Sequence, residues 1–319
     1  MGRVTAPAAP TPASASGLRS FAELLGIEEL EENLFRGHCH AGAPLRAFGG
    51  QVAAQALTSA GRTVEPARRV HSLHGYFLRP GDPRRPIVYQ VDRARDGGSY
   101  ATRRVTAVQR GEVIFTMSAS FKRPEASGDR QRTMPPVPGP EELPDPYLAW
   151  QRDAPEEFAG ATVFRALEMR FVPAGAPGMP PELPGVPQQF VWLRTGSALP
   201  GDDPLLQVCA LTYLSDLTLA STTALHLQPH RVHRVAEPRV ALASLDHAMW
   251  FHRPFRADEW LLFAQRSPSA SDGRGLAMGE FYDRDGVLVA SAVQETLLRE
   301  LRPKQARQAR QARQAPPTP

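Results

Sequence analysis

The sequence predicts an α+β protein made twice from one unit, a curved antiparallel sheet wrapped round a central helix. An internal repeat, strand patterning in each copy and a helix ahead of the strands carry that prediction. Tyr76-Phe77-Leu78-Arg79-Pro80 recurs as Trp250-Phe251-His252-Arg253-Pro254. Asp-Gly pairs follow at Asp96-Gly97 and Asp272-Gly273, and then Gly111-Glu112-Val113-Ile114-Phe115 matches Gly286-Val287-Leu288-Val289-Ala290. Tyr76 to Gly111 is 35 positions and Trp250 to Gly286 is 36, so the register is kept. Two long copies mean a duplicated domain, since solenoid units recur many times at periods of about 20–50 residues.

In the first copy, Phe21 to Glu32 reads as a short helix with Phe21, Leu24 and Leu25 at helical spacing. Gly49-Gly50 leads into an Ala-rich helix over 51–60. Strands follow at 70–79, 86–95, 99–109 and 112–123; in the third, Tyr100, Thr102, Arg104, Thr106 and Val108 share one face. The stretch 135–146 has too many breakers to hold regular structure. In the second copy, strands at 164–172 and 188–195 flank a Pro/Gly loop, and a long amphipathic helix is expected near 204–226. Strands come again at 240–253, 258–267, 274–283 and 286–299. Such a sheet buries its apolar face only against a helix. The expected organisation is a disordered tail over 1–19, a first domain over 20–134, a Pro-rich linker over 135–160, a second domain over 161–301 and a basic disordered tail over 302–319.

Composition excludes several classes. The 319 residues are 42 % hydrophobic and 22 % charged, as in soluble globular proteins. The net charge of +4 is mild and the arginines are scattered, so no nucleic-acid partner is expected; the run from Arg302 to Arg313 reads as a solvated tail. Cys39 and Cys209 are the two cysteines, too few for a secreted disulfide scaffold. Residues 1–16 have no apolar core, Ala6 stands where a myristoylation signal wants Ser or Thr, and the chain does not end in Ser-Lys-Leu. A cytoplasmic protein without integral membrane association is expected.

No nucleophile elbow, P-loop, His-Glu-x-x-His or dinucleotide fingerprint occurs. His38-Cys39-His40 is set aside as a metal site because neighbours in an extended chain point opposite ways. His226, His230 and His233 have helical spacing, but Pro229 falls between them and a surface loop is expected. Neither metal nor cofactor is expected. Asp216 interrupts an apolar helix, where a carboxylate is costly unless hydrogen-bonded or used as a base. Gln294 interrupts an apolar strand, and the repeat puts Ala119 at its place. Aligning the helices through Phe48 and Tyr213 puts Gln51 at the place of Asp216. One copy keeps the scaffold and the other keeps the polar set.

Six segments in order carry a family likeness. They are Leu34-Phe35-Arg36-Gly37, Phe48-Gly49-Gly50-Gln51, the run His71 to Asp82, Ser215-Asp216-Leu217, the run Leu245 to Arg253 and the run Gly286 to Glu295. Over residues 20 to 301 the chain resembles the acyl-CoA thioesterase II family, the TesB type. The resemblance implies a double hot-dog fold, a homo-oligomer and hydrolysis of medium- to long-chain acyl-CoA to free acid and CoA. In that family an Asp, a Thr or Ser and a Gln hold the attacking water; matched by motif they are Asp216, Ser244 and Gln294. Bacterial members commonly carry Thr where Ser244 stands, and Ser keeps the hydroxyl. The segment from Ala220 to Val240 is longer than the family's.

A thioester is activated, with a leaving thiol of pKa about 8.5, so a positioned water and a general base suffice. Asp216 is read as that base. Backbone N–H groups at Gly49-Gly50 are candidates for the oxyanion, Gln51 and His71 for further substrate contact, and Arg79, Arg103 and Arg104 for the CoA phosphates. Two rivals stand beside this reading. A hot-dog hydratase or dehydratase would pair a His, such as His71 or His74, with a carboxylate. A non-catalytic sensor would bind acyl-CoA without turnover.

Overall fold

The computed structural model describes residues 20–40, 46–160, 166–179, 181, 183–227 and 240–301. The expected tails lie outside the described residues, as do His230, His233 and most of the long segment before Val240. Helix α1 (Phe21–Leu25) buries Phe21, Leu24 and Leu25. The expected helix to Glu32 is shorter because Gly26 leaves the helical conformation, and Ile27–Glu31 forms strand β1 against β2 (Leu34–Gly37). Glu28, Glu29 and Glu31 lie exposed on this edge strand, and such charges discourage pairing with another chain.

Helix α2 (Gly49–Arg62) and strands β3 (Arg69–Phe77), β4 (Ile87–Asp96), β5 (Tyr100–Gln109) and β6 (Glu112–Lys122) follow the expected order. Strand β5 alternates as read, with Ala101, Arg103, Val105 and Ala107 buried and Tyr100 and Arg104 exposed. Within the Pro-rich stretch 135–146 the one regular piece before α3 is a 3-10 turn (Pro140–Glu142), while the rest of the expected linker to 160 forms α3 (Pro146–Asp153) and α4 (Pro155–Gly160). Pro140, Pro146 and Pro155 each open one of these elements, where no N–H is needed, and the Asp145 side chain accepts from the Tyr147 N–H.

The second unit brings β7 (Leu167–Phe171), β8 (Gln188–Thr195), α5 (Pro204–Ser215), α6 (Leu219–Thr222), β9 (Val240–Ser244), β10 (Asp246–Phe251), β11 (Leu261–Ser271), β12 (Arg274–Tyr282) and β13 (Leu288–Glu300). The expected helix over 204–226 is two pieces broken at Asp216, and they do different work. Helix α5 is buried all round from Cys209 to Ser215 rather than amphipathic, because it packs between α1 and α2 on one side and β3 and β8 on the other. Helix α6 lies on β9, β11, β12 and β13, as α2 lies on β3 to β6. Thr218 and Thr222 of this segment donate to Gln265 on β11.

Among the described residues the strands form one antiparallel sheet, ordered β1-β2-β4-β5-β6-β3-β10-β13-β12-β11-β8-β7, with β9 on β13. Read outward from the β3–β10 junction, the two halves mirror each other. The junction pairs Tyr76 with Asp246 and Ser72 with Trp250. Since the repeat matches Tyr76 with Trp250 and Ser72 with Asp246, this register maps onto itself when the copies exchange, as in an isologous contact. The turns are less faithful. Asp272-Gly273 takes two positive φ angles, as hairpin turns of the primed type require, but its counterpart Asp96-Gly97 does not, and Arg110-Gly111 takes that conformation in the first copy.

Helices α2 and α5 run antiparallel in close contact, the start of α2 meeting the end of α5. A Cβ on Gly50 would stand 2.6 Å from the Tyr213 carbonyl oxygen, which the helix backbone holds rigidly. Gly50→Ala is therefore expected to destabilise the protein by about 1–3 kcal/mol. Urea denaturation of the variant beside the wild type checks this; an unchanged midpoint would show that the helices do not need the close approach.

Candidate active site

The break between α5 and α6 puts a carboxylate at the start of α2. Asp216 follows the last residue of α5 with φ −85° and ψ −5°, and its N–H turns back to the Leu214 carbonyl. Its Oδ2 accepts from the Gly50 N–H at 2.7 Å and its Oδ1 from Gln294 Nε2 at 2.7 Å. The Ser244 hydroxyl lies 3.5 Å from the same Oδ1. A Cβ on Gly49 would come 2.8 Å from Oδ2, so the Gly49-Gly50 pair is what lets the helix reach the carboxylate. Burial pushes Asp216 up to about 6, against the bonds from Gln294 and Gly50, the nearby Arg46 cation and the Ser244 bond, all of which lower it.

Ser244 owes its position to a bulge. The expected strand over 240–253 is two strands, β9 and β10. Ser244 pairs with Thr296 on β13 while Ala248 pairs with Val293, so four steps on one strand oppose three on the other. The same irregularity recurs in the first copy between Val70 and Ser72. Matching Tyr76 with Trp250 and Gly111 with Gly286 puts Val70, Leu73 and Ala119 at the places of Ser244, His247 and Gln294.

Asp216 and Ser244 line a pocket of about 620 Å³, within the roughly 300–1,000 Å³ of small-molecule sites. Phe48, Val52, Phe77, Ile114, Phe115 and Met169 supply apolar lining, and Gly49, His40, Arg46 and Arg79 also border it. Gln294 is fully buried behind Asp216, and its Oε1 has no protein partner among the described residues.

The structure thus gathers Asp216, Ser244, Gln294, Gly49, Gly50 and Arg79, and leaves the other candidates elsewhere. The Gly50 N–H is committed to Asp216, so it is not a free oxyanion donor. Gln51 is buried in α2, where its amide donates to the Leu24 and His38 carbonyls and its Oε1 accepts from the His40 N–H. His71 bonds Ser120 and sits edge-on to Tyr100. His74 stands edge-on to Trp250, so neither rival histidine borders the pocket. Arg104 is exposed on β5, and Arg103 is wholly buried, bonded to Asp96, Thr63 and the Arg95 and Thr102 carbonyls. In the set-aside His38-Cys39-His40 run, burial pushes the Cys39 thiol up to about 11, away from thiolate.

Sequence reasoning missed Arg46, which borders the pocket and donates to the Leu242 carbonyl at 3.0 Å; no motif marks it. It also gave no role to Ser215 or His247, although alternation in 246–251 places His247 on the inward face with Met249.

An antiparallel sheet wrapped round helices, doubled within one chain and holding a carboxylate over an apolar pocket, defines a double hot-dog protein. Residues 38–122 match the family model described as the acyl-CoA thioesterase N-terminal domain, and residues 136–298 match its C-terminal domain. The chain belongs to the acyl-CoA thioesterase family. It is 39 % identical over 289 residues to human acyl-coenzyme A thioesterase 8, covering 86 % of this chain and 88 % of that protein. With acyl-CoA thioesterase 2 of Haemophilus influenzae it shares 37 % over 289 residues, covering 88 % and 98 %. The crystal structure of acyl-CoA thioesterase II TesB2 from Mycobacterium marinum superposes with a TM-score of 0.73 at 46 % identity, covering 88 % of this chain and 98 % of that one. A protein from Alicyclobacillus acidocaldarius described as having a hot dog fold, at 22 % identity and TM-score 0.68, shares the fold.

Arg103 tests the difference between structure and substrate contact. Arg103 is wholly buried but its partner Asp96 is 40 % exposed, so losing the guanidinium costs about 1–3 kcal/mol, chiefly from the buried oxygens left without a donor. Arg103→Leu is expected to lower the melting temperature sharply while the folded fraction keeps its KM for acyl-CoA. A raised KM at unchanged stability would return Arg103 to the substrate.

Proposed function

We propose that Asp216 is the general base of this thioester hydrolase and that Ser244 and Gln294 orient the attacking water. The observation that carries the reading is a buried carboxylate raised to about 6 that borders an apolar pocket while keeping two short hydrogen bonds. A base poised near the working pH is ionised there, yet accepts a proton more readily than an ordinary Asp. Its two bonds hold the carboxylate in place. The Ser244 hydroxyl beside Oδ1 and the unpartnered Gln294 Oε1 supply polar atoms that a water can use.

The reaction balances without a covalent intermediate. Water oxygen attacks the thioester carbonyl carbon as one of its protons passes to Asp216. The tetrahedral intermediate collapses, the C–S bond breaks, and the thiolate of CoA leaves and takes the proton back. The free acid and CoA thiol are the products. The apolar lining suits a medium- to long-chain acyl group, and Arg46 and Arg79 at the pocket suit the CoA phosphates. A sensor would have no use for a base of this kind.

We further propose a cytoplasmic homo-oligomer acting on free acyl-CoA. Cys39 and Cys209 are both free thiols. Among the described residues no helix is long and apolar enough to cross a membrane.

The sign of the pH dependence follows from Asp216 acting as carboxylate. The kcat/KM for an acyl-CoA is expected to be flat above the Asp216 pKa and to fall about tenfold per unit below about 6. Asp216→Asn is expected to lower thiol release by about 100- to 10,000-fold while acyl-CoA binding persists. Chain-length series of thiol release, run from pH 5 to 8 on both proteins, check it. Unchanged turnover in the variant would remove Asp216 from the chemistry.

A further inference from the structure

Beneath Gln294 lies a group that the proposed chemistry does not consume. His247 on β10 is 1 % exposed and bonded at both ring nitrogens. Its Nδ1 is 3.1 Å from Gln294 Nε2, and its Nε2 is 2.8 Å from Ser215 Oγ. An amide NH2 only donates, so Nδ1 accepts and the ring proton sits on Nε2, donated to Ser215. The Ser215 hydroxyl passes its own hydrogen to the Thr212 carbonyl at 2.9 Å. Donation thus starts at the Gln294 amide and runs two ways, directly to Asp216 and through His247 and Ser215 to the last turn of α5, which ends next to Asp216.

Gln294 spends one Nε2 hydrogen on Asp216 and the other on His247. Turned over, the amide would set Oε1 against an ionised carboxylate and Nε2 away from the ring. The orientation therefore depends on two acceptors, of which His247 is the one that takes no part in the reaction. The first copy supplies an internal comparison. There Leu73 and Ala119 face each other across β3 and β6, both buried. The scaffold packs with two apolar groups at this point, whereas a buried imidazole costs free energy unless its nitrogens are paired. The His and Gln occur together, in the copy that has the carboxylate.

We propose that His247 is a positioning residue for hydrolysis, holding the Gln294 amide with one N–H on Asp216 and Oε1 free for the water. The proposal rests on Asp216 being the base. Without the Nδ1 acceptor the amide can turn its oxygen to Asp216, which favours the protonated carboxyl. The charged and titratable groups near Asp216 are Arg46 from the chain before α2, Tyr213 on α5 and His247 itself, with His40, bonded to Tyr213, and Arg79 on the border of the same pocket. Burial holds His247 down at about 4 and Tyr213 far above the working range, so neither titrates between pH 5 and 8.

Three variants separate positioning from packing. His247→Asn puts an amide oxygen near the place of Nδ1. His247→Gln can reach Ser215 but lacks that acceptor, and His247→Leu lacks both groups. The full-length proteins would be compared for kcat, KM, melting temperature and pH profile. The Leu and Gln variants are expected to lose about ten- to a hundredfold in kcat, with KM unchanged and the acid limb moved up by about one pH unit. The Asn variant is expected to recover most of kcat and the wild-type limb. Equal kcat and an unmoved limb in Asn and Gln, whatever their melting temperatures, would overturn the proposal, and that pair decides the matter even if the Leu variant does not fold. Thiol release that survives Asp216→Asn would instead overturn the base itself, a separate result.

Discussion

The site is organised around the cost of burying one anion. An ionised carboxylate out of water is tolerated where hydrogen bonds replace its hydration. Asp216 obtains them from the first turn of α2 and from Gln294 on β13. The positive end of a helix favours an anion there, but only if the backbone comes close. That requirement explains the glycine pair at the start of α2, the antiparallel packing of α2 on α5 and the end of α5 at Ser215. Desolvation still exceeds these bonds, and the balance raises the pKa to about 6. A better-solvated carboxylate would be a weaker base and a fully isolated one would stay protonated.

Duplication supplies the frame on which this balance is built. The β3–β10 junction joins two sheets in a register that reads the same from either copy, so one continuous sheet spans both. Both copies also carry a bulge at the same point. In the first copy it presents Val70, and in the second it presents Ser244 beside Asp216. A bulge re-aims a side chain without ending the sheet. The geometry of the site therefore belongs to the repeated scaffold, and its polar character to four positions on it: Gln51, Val70, Leu73 and Ala119 of the first copy stand where the second has Asp216, Ser244, His247 and Gln294.

The arginines show how burial divides residues of one type between roles. Arg103 has no exposed surface and is used up by Asp96, Thr63 and backbone carbonyls. Arg79 pairs with Glu112 at 2.9 Å with both side chains half exposed, a contact of about 0–1 kcal/mol that a phosphate can replace. Arg46 bridges to the Leu242 carbonyl across the pocket from the side of α2. Charge alone makes the three look alike.

By itself the sequence determined the duplicated α+β plan, most strand positions in both copies and the polar breaks Asp216 and Gln294, while Ser244 was marked by the family motif alone. Alternation, turn residues and repeat register are local patterns, and a polar residue in an apolar run is visible as a break. Only the tertiary structure decided the rest. It ended the first helix at Leu25, cut the long helix at Asp216, gave the expected linker two short helices and buried Arg103. It also turned Gly50 into a donor to Asp216 and joined His247 to Gln294. The reason is physical: these outcomes depend on hydrogen bonds and close packing between residues as far apart as 50 and 216, and a linear pattern carries no information about which distant partner satisfies a buried group.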